Sequence, residues 1–161
     1  KFFPFIKEVV CFGDKRDAVC AFINIEMDAV GNWAERQGIG YSGYVDLASK
    51  PEVYVLLQTC IEQVNQDLAK DDTLSGSQIK RFLILHKELD ADDDELTRTR
   101  KVRRDFVAEK YEVLVTALYN DAKECFIETQ MKFEDGRTGV ISANISISDA
   151  KTSQSTLELA A

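Results

Sequence analysis

The chain has 161 residues, 45% of them hydrophobic and 30% charged, the balance of a soluble globular protein with one core. Its net charge of −8 argues against a general binder of nucleic acid or anionic membrane. No apolar run reaches the roughly 18 residues of a membrane span, and the opening residues do not read as a secretory signal.

That opening, Lys-Phe-Phe-Pro-Phe-Ile, puts four large apolar residues in the first six without a start methionine, as expected of a chain cut from something longer. Residues 5–12 read as a strand, Gly13–Asp17 as a polar turn, and 18–25 as a second, nearly continuous apolar strand. Together they predict a hairpin covered on both faces. From Met27 the apolar spacing becomes Met27, Val30, Trp33, Ala34, a helix ending at Gly38. Residues 38–48, with glycines and two tyrosines, read as a loop.

Ser49 with Glu52 suggests a capping box, and Pro51 suits a first helical turn. Val53, Leu56, Leu57, Cys60, Ile61, Val64 and Leu68 then mark one buried face of a long helix. A polar break at 71–76 precedes a short buried strand from Ile79 to His86. After Lys101 a second long helix is expected to about Asp121, with Phe106, Val107, Tyr111, Leu114 and Leu118 on its apolar stripe. Residues 124–149 read as a hairpin turning at Asp135-Gly136.

The order β-β-α-α-β-α-β-β predicts an α+β domain: a small three-stranded sheet flanked by helices, with an added C-terminal β-hairpin. The expected divisions are a body over 1–121, a hairpin extension over 122–149 and a flexible tail over 150–161.

Cys11, Cys20, Cys60 and Cys125 lie far apart in apolar patterns, and His86 is the single histidine. They read as reduced core thiols in a reducing, cytoplasmic compartment, and no metal site is expected. Asp90, Asp92 and Asp94 have the opening spacing of a calcium loop, but Glu95 and Lys101 stand where glycine and a bidentate acid are needed. The run Asp90, Asp92, Asp93, Asp94, Glu95 therefore reads as a solvated acidic loop. His86 lacks a nucleophile at a diagnostic spacing and reads as a satisfied strand-end side chain.

The acids are followed at once by Arg98, Arg100, Lys101, Arg103 and Arg104. Such a run predicts cations in a loop and first helical turn, where the helix dipole disfavours them unless an anion approaches. The bland alternative is a solvated basic face paired with the preceding acids.

The segment Glu95-Leu-Thr-Arg-Thr-Arg-Lys-Val-Arg-Arg104, followed by Phe-Val-Ala-Glu-Lys-Tyr, resembles the C-terminal subdomain of long-chain acyl-CoA synthetases in the adenylate-forming superfamily. Arg98 stands where that family commonly has proline. Pro4–Val10 with Gly13-Asp14, and Phe82–Leu85, extend the resemblance over about residues 4–120. It implies an ATP-dependent long-chain fatty acid–CoA ligase, with Lys101 as the adenylation lysine. It implies ATP and Mg in the full-length enzyme, CoA as co-substrate, and a larger N-terminal domain of the same polypeptide as partner. Arg98, Arg100, Arg103 and Arg104 become aids to phosphate or CoA approach. The fragment alone is expected to bind no cofactor and to be inactive, and the full enzyme to be cytoplasmic, with peripheral membrane association left open. A non-enzymatic anion-docking module and the lid of a fatty acyl-AMP ligase stay open as alternatives.

Overall fold

The computed structural model describes residues 3–154. The first hairpin forms as the apolar pattern requires, with β1 (Ile6–Phe12) antiparallel to β2 (Val19–Ile25) and Val9 opposite Ile23. The next helix, α1 (Met27–Arg36), ends in a Schellman closure. Gly38 donates to the Glu35 carbonyl at 3.1 Å and Ile39 to the Ala34 carbonyl at 2.9 Å, with Gly38 in the left-handed conformation that closure needs (φ 72°).

The expected loop at 38–48 contains a short helix, α2 (Tyr44–Ser49), which buries Leu47 and Ala48. The proposed capping box does not form. Ser49 ends α2 and its hydroxyl donates to the Asp46 carbonyl at 2.7 Å, so Lys50 caps α3 (Pro51–Ala69). Pro51 does occupy the first turn, where its missing N–H costs nothing. Within α3 the fully buried Asn65 accepts from the Ile79 amide and donates to the Ile79 and Lys151 carbonyls at 2.8–2.9 Å. It thus ties the helix to the start of β3 (Ile79–Ile84) and to the chain beyond the last strand.

The second long helix is two helices, α4 (Arg104–Lys110) and α5 (Glu112–Tyr119), separated at Tyr111 (φ −107°, ψ 29°). The terminal hairpin is β4 (Glu124–Lys132) and β5 (Thr138–Asp149), with Gly136 at φ 83° in the turn.

The sheet has five strands in the order β1-β2-β3-β5-β4, which corrects the expected three. The end of β5 pairs antiparallel with β3 (Leu83 opposite Ile147), so the hairpin is part of the sheet rather than an addition to it. β2 and β3 are parallel, joined through α1–α3. Helices cover both faces. Ala21, Ile23, Ile25, Phe82 and Ile84 pack with Val30, Leu47 and Leu57, while Phe22, Leu83 and Leu85 pack with Val107, Leu114 and Leu118. That alternation is the period-2 pleat of strands buried on both sides.

Arg81 was read only as a strand residue, yet it joins three elements. Its guanidinium donates to the Ala117 and Leu118 carbonyls at 3.2 and 2.7 Å and also to the Ala122 carbonyl, closing the C-terminal end of α5, and it pairs with Asp149 at 3.1 Å. Cys20 and Cys60 are buried, Cys11 and Cys125 half-buried, and all four are free. Of the tail expected at 150–161, Ala150 is buried and Ser153 exchanges hydrogen bonds with Gln78; residues 155–161 lie outside the described residues. No helix among the described residues is long and apolar enough to cross a membrane.

Candidate functional site

β3 delivers the chain into the acidic-basic stretch, and Asn24 on β2 holds the delivery in place. Its side chain donates to the Lys87 carbonyl and accepts from the Leu89 amide, both at 2.9 Å. The acidic loop that follows is not solvated throughout, which corrects the sequence reading. Asp90, Asp92 and Asp94 are exposed, but Asp93 and Glu95 are buried, Glu95 completely.

Both buried acids are compensated, as a low-dielectric interior requires. Lys87, itself buried, pairs with Asp93 at 3.1 Å and with Glu95 at closer range. Lys110 reaches the other Glu95 oxygen at 3.2 Å, and the Tyr111 hydroxyl donates to that same oxygen. Burial alone would raise the Asp93 pKa. The Lys132 amide at 2.6 Å and the Lys87 ammonium outweigh it and hold this carboxyl below its usual range. Burial, reinforced by Glu95, pushes the Tyr111 phenol upward, so it serves as a neutral donor. The cluster is neutral in sum, Lys87 and Lys110 against Asp93 and Glu95.

Above this base stands the turn that carries the cations. Leu96 bridges Val102, the Thr97 amide donates to the Lys101 carbonyl at 2.8 Å, and the Lys101 amide donates to the Thr97 hydroxyl at 3.0 Å. Arg100, left-handed at φ 61°, closes it with a 2.9 Å bond to the Thr97 carbonyl. Arg98, Arg100 and Lys101 accordingly lie in the expected loop before the helix, on an exposed hydrogen-bonded turn. Arg103 precedes α4 and Arg104 opens it.

The pairing of these cations with the acids is also corrected. Arg103 alone pairs, contacting the Asp94 carbonyl at 3.0 Å and its carboxylate at 3.7 Å while lying 5.1 Å over the Phe106 ring. Among the described residues Arg98, Arg100, Lys101 and Arg104 have no ion-pair partner, although five acids lie between Asp90 and Glu95 just before them.

His86 lies beneath the turn's base, edge-on to Tyr111 with ring centroids 6.3 Å apart. Nε2 is 3.1 Å from the Thr129 hydroxyl on β4, and Nδ1 is buried without a partner. Burial first, then the charge of Lys87, lowers its pKa to about 4, so the ring is neutral. The satisfied strand-end reading thus holds for one ring nitrogen. Among the described residues there is no group of three His, Cys, Asp or Glu side chains placed to hold a metal ion. An open cleft of about 370 Å3 lies between the acidic loop, α4 and the hairpin, lined by Asp93, Asp94, Phe106, Lys110, Glu128 and Lys132.

Sequence reading missed Lys87, Glu95, Lys110 and Tyr111 as one cluster. The one available signal was a lysine directly extending the apolar run Phe82–His86, where a charge has to find a buried partner.

No family model matches the chain. Over 118 residues, 73% of its length, it is 31% identical to the long-chain-fatty-acid–CoA ligase FadD15 of Mycobacterium tuberculosis. It is 30% identical over 116 residues to the putative fatty-acid–CoA ligase FadD11 of the same species, and 31% over 70 residues to the rat long-chain-fatty-acid–CoA ligase ACSBG2. Its relatives over this stretch are long-chain fatty-acid–CoA ligases. It spans only 19% of the length of the mycobacterial ligases and 10% of the rat ligase. Among solved structures, the adenylation domain of a carboxylate reductase from Mycobacterium chelonae superposes with a TM-score of 0.50 at 18% identity. That match covers 73% of this chain and 16% of the other, and shows a shared fold.

Proposed function

We propose that this chain is the C-terminal lid subdomain of an ATP-dependent long-chain fatty acid–CoA ligase, and that Lys101 supplies charge to adenylation. The observation that carries this reading is an exposed lysine without an ion-pair partner among the described residues, on a turn locked by its own hydrogen bonds, in a chain whose relatives are ligases. In adenylation a fatty-acid carboxylate oxygen bonds to the α-phosphorus of ATP and pyrophosphate leaves. Two anions must approach, and an ammonium beside them lowers that repulsion as charge redistributes in the transition state. A point charge on a flexible stem suits a transient contact. In the second step the CoA thiol displaces AMP from the acyl carbon, which needs no cation between carboxylate and phosphate. A lid that carries Lys101 in for the first step and away for the second serves both.

ATP, CoA and the acyl chain are bound chiefly by an N-terminal domain in this reading, with Arg98, Arg100 and Arg104 assisting phosphate approach. The Mg2+ that accompanies ATP finds no ligand cluster among the described residues. The four free thiols suit a reducing cytoplasm.

In the full-length enzyme Lys101→Ala should slow acyl-adenylate formation by on the order of 100-fold, while thioester formation from supplied acyl-adenylate survives. Equal loss in the two half-reactions overturns the role. The four cations without acid partners among the described residues also favour a second reading, docking of an anionic macromolecule. It requires salt-sensitive binding of a polyanion by the fragment alone.

A further inference from the structure

We propose that Glu95 is the positioning residue for Lys101, the buried post on which the lysine-bearing turn is registered; this rests on the role given to Lys101 above. Glu95 combines two sets of contacts. Its main chain forms the foot of the turn: its amide donates to the Asp90 carbonyl at 3.0 Å, and its carbonyl accepts the Arg103 amide at 2.9 Å. Above that rung come the Leu96–Val102 bridge and then the Thr97–Lys101 rung at 2.8 Å. Lys101 is thus three steps up a short ladder whose lowest step is Glu95.

Its side chain fastens that step to the body of the fold. One carboxylate oxygen accepts from Lys87, which continues directly from β3, and from the Asp90 amide at 3.1 Å. The other accepts from Lys110 at 3.2 Å and from Tyr111, the residue that separates α4 from α5. Strand exit, helix break and turn therefore meet on one carboxylate with no exposure to solvent. A hydrophobic anchor of similar volume would fill the space but could not set direction. Four donors converging on two oxygens define where the carboxylate lies and, through it, the height and tilt of the ladder.

The charge is necessary as well as the shape. Without it Lys87 keeps Asp93 alone, and Lys110 loses its acid partner within the cluster. Asp93 is also committed elsewhere, to the Lys132 amide on the terminal hairpin. A shift of the turn by about an ångström is enough to cost on the order of 100-fold in a step that depends on one positioned charge.

The test uses the full-length ligase. Glu95→Gln should lower acyl-adenylate formation by roughly 10- to 100-fold and change thioester formation from supplied acyl-adenylate by less than about threefold. Tyr111→Phe, which removes one donor and leaves the acid paired, should lower the same half-reaction by about 3- to 10-fold and serves if Glu95→Gln does not fold. Combined with Lys101→Ala, either variant should add no further loss, because a positioning residue has nothing left to position. Equal loss in both half-reactions, or losses that multiply in the double variant, overturns the proposal. Should Lys101→Ala adenylate normally, the reading of Lys101 falls by itself. The positioning claim is then decided by amide hydrogen exchange at Thr97 and Lys101, where faster exchange in Tyr111→Phe supports it and unchanged exchange overturns it.

Discussion

His86 shows how one residue can report on the interior around it. Its ring is 2% exposed, bonded to Thr129 through one nitrogen, and surrounded by Lys87, Lys110 and Glu95. With a folded pKa of about 4 and an unfolded value near 6.5, the unfolded chain binds the proton first. Its contribution is complete above pH 6.5, shrinks as pH falls, and is gone below about 4, a swing of up to about 3 kcal/mol. Urea denaturation between pH 4 and 7.5 should show that decline in the wild type and a flatter profile in His86→Gln. Asp93, held below the usual carboxylate range, adds its own loss only at still lower pH. The need for a buried partner was legible in Lys87, which prolongs an apolar strand. Its partners were not, because Glu95 sits in a run of five acids that composition cannot rank.

Among the elements, the separation of β3 from β5 has the clearest consequence. The two strands pair only from Arg81/Asp149 to Leu83/Ile147. Just beyond, the Tyr54 hydroxyl fills the gap, accepting from the Ile84 amide at 3.1 Å and donating to the Ser146 carbonyl at 2.7 Å. Tyr54→Phe keeps the stack on Phe82 but leaves two buried backbone groups without that partner. It should cost about 1–3 kcal/mol in chemical denaturation with an unchanged slope. Tyr54 is buried on α3 but was not among the apolar positions that marked its face, and no local signal shows a hydroxyl bridging two strands. The break at Tyr111 was hidden for a related reason. Its apolar stripe runs through both α4 and α5, and neither glycine nor proline marks the interruption.

At the scale of the molecule, the cations stand at one end of a two-faced sheet, clamped from below and open above. Four of them lack acid partners among the described residues, which suits the proposed lid, whose anion would be held by another domain. The isolated chain should therefore release no AMP when given ATP, a long-chain fatty acid and CoA, and clear turnover in that assay would sink the lid reading.

What the sequence by itself determined is the local material. It marked the first hairpin, the buried strand into the acidic run, the face of α3, the terminal hairpin and the segment from Thr97 to Arg104 that resembles a ligase motif. Each of these follows from periodicity, turn chemistry or a short motif, and all act within a few residues. Tertiary structure decided the rest: that the last hairpin completes a five-stranded sheet, that Glu95 is buried, and that the turn carrying Lys101 is fastened through Glu95 to Lys87, Lys110 and Tyr111. Strand pairing and charge pairing join residues far apart in the chain. Whether an acid lies in water or between two lysines depends on which distant elements close over it.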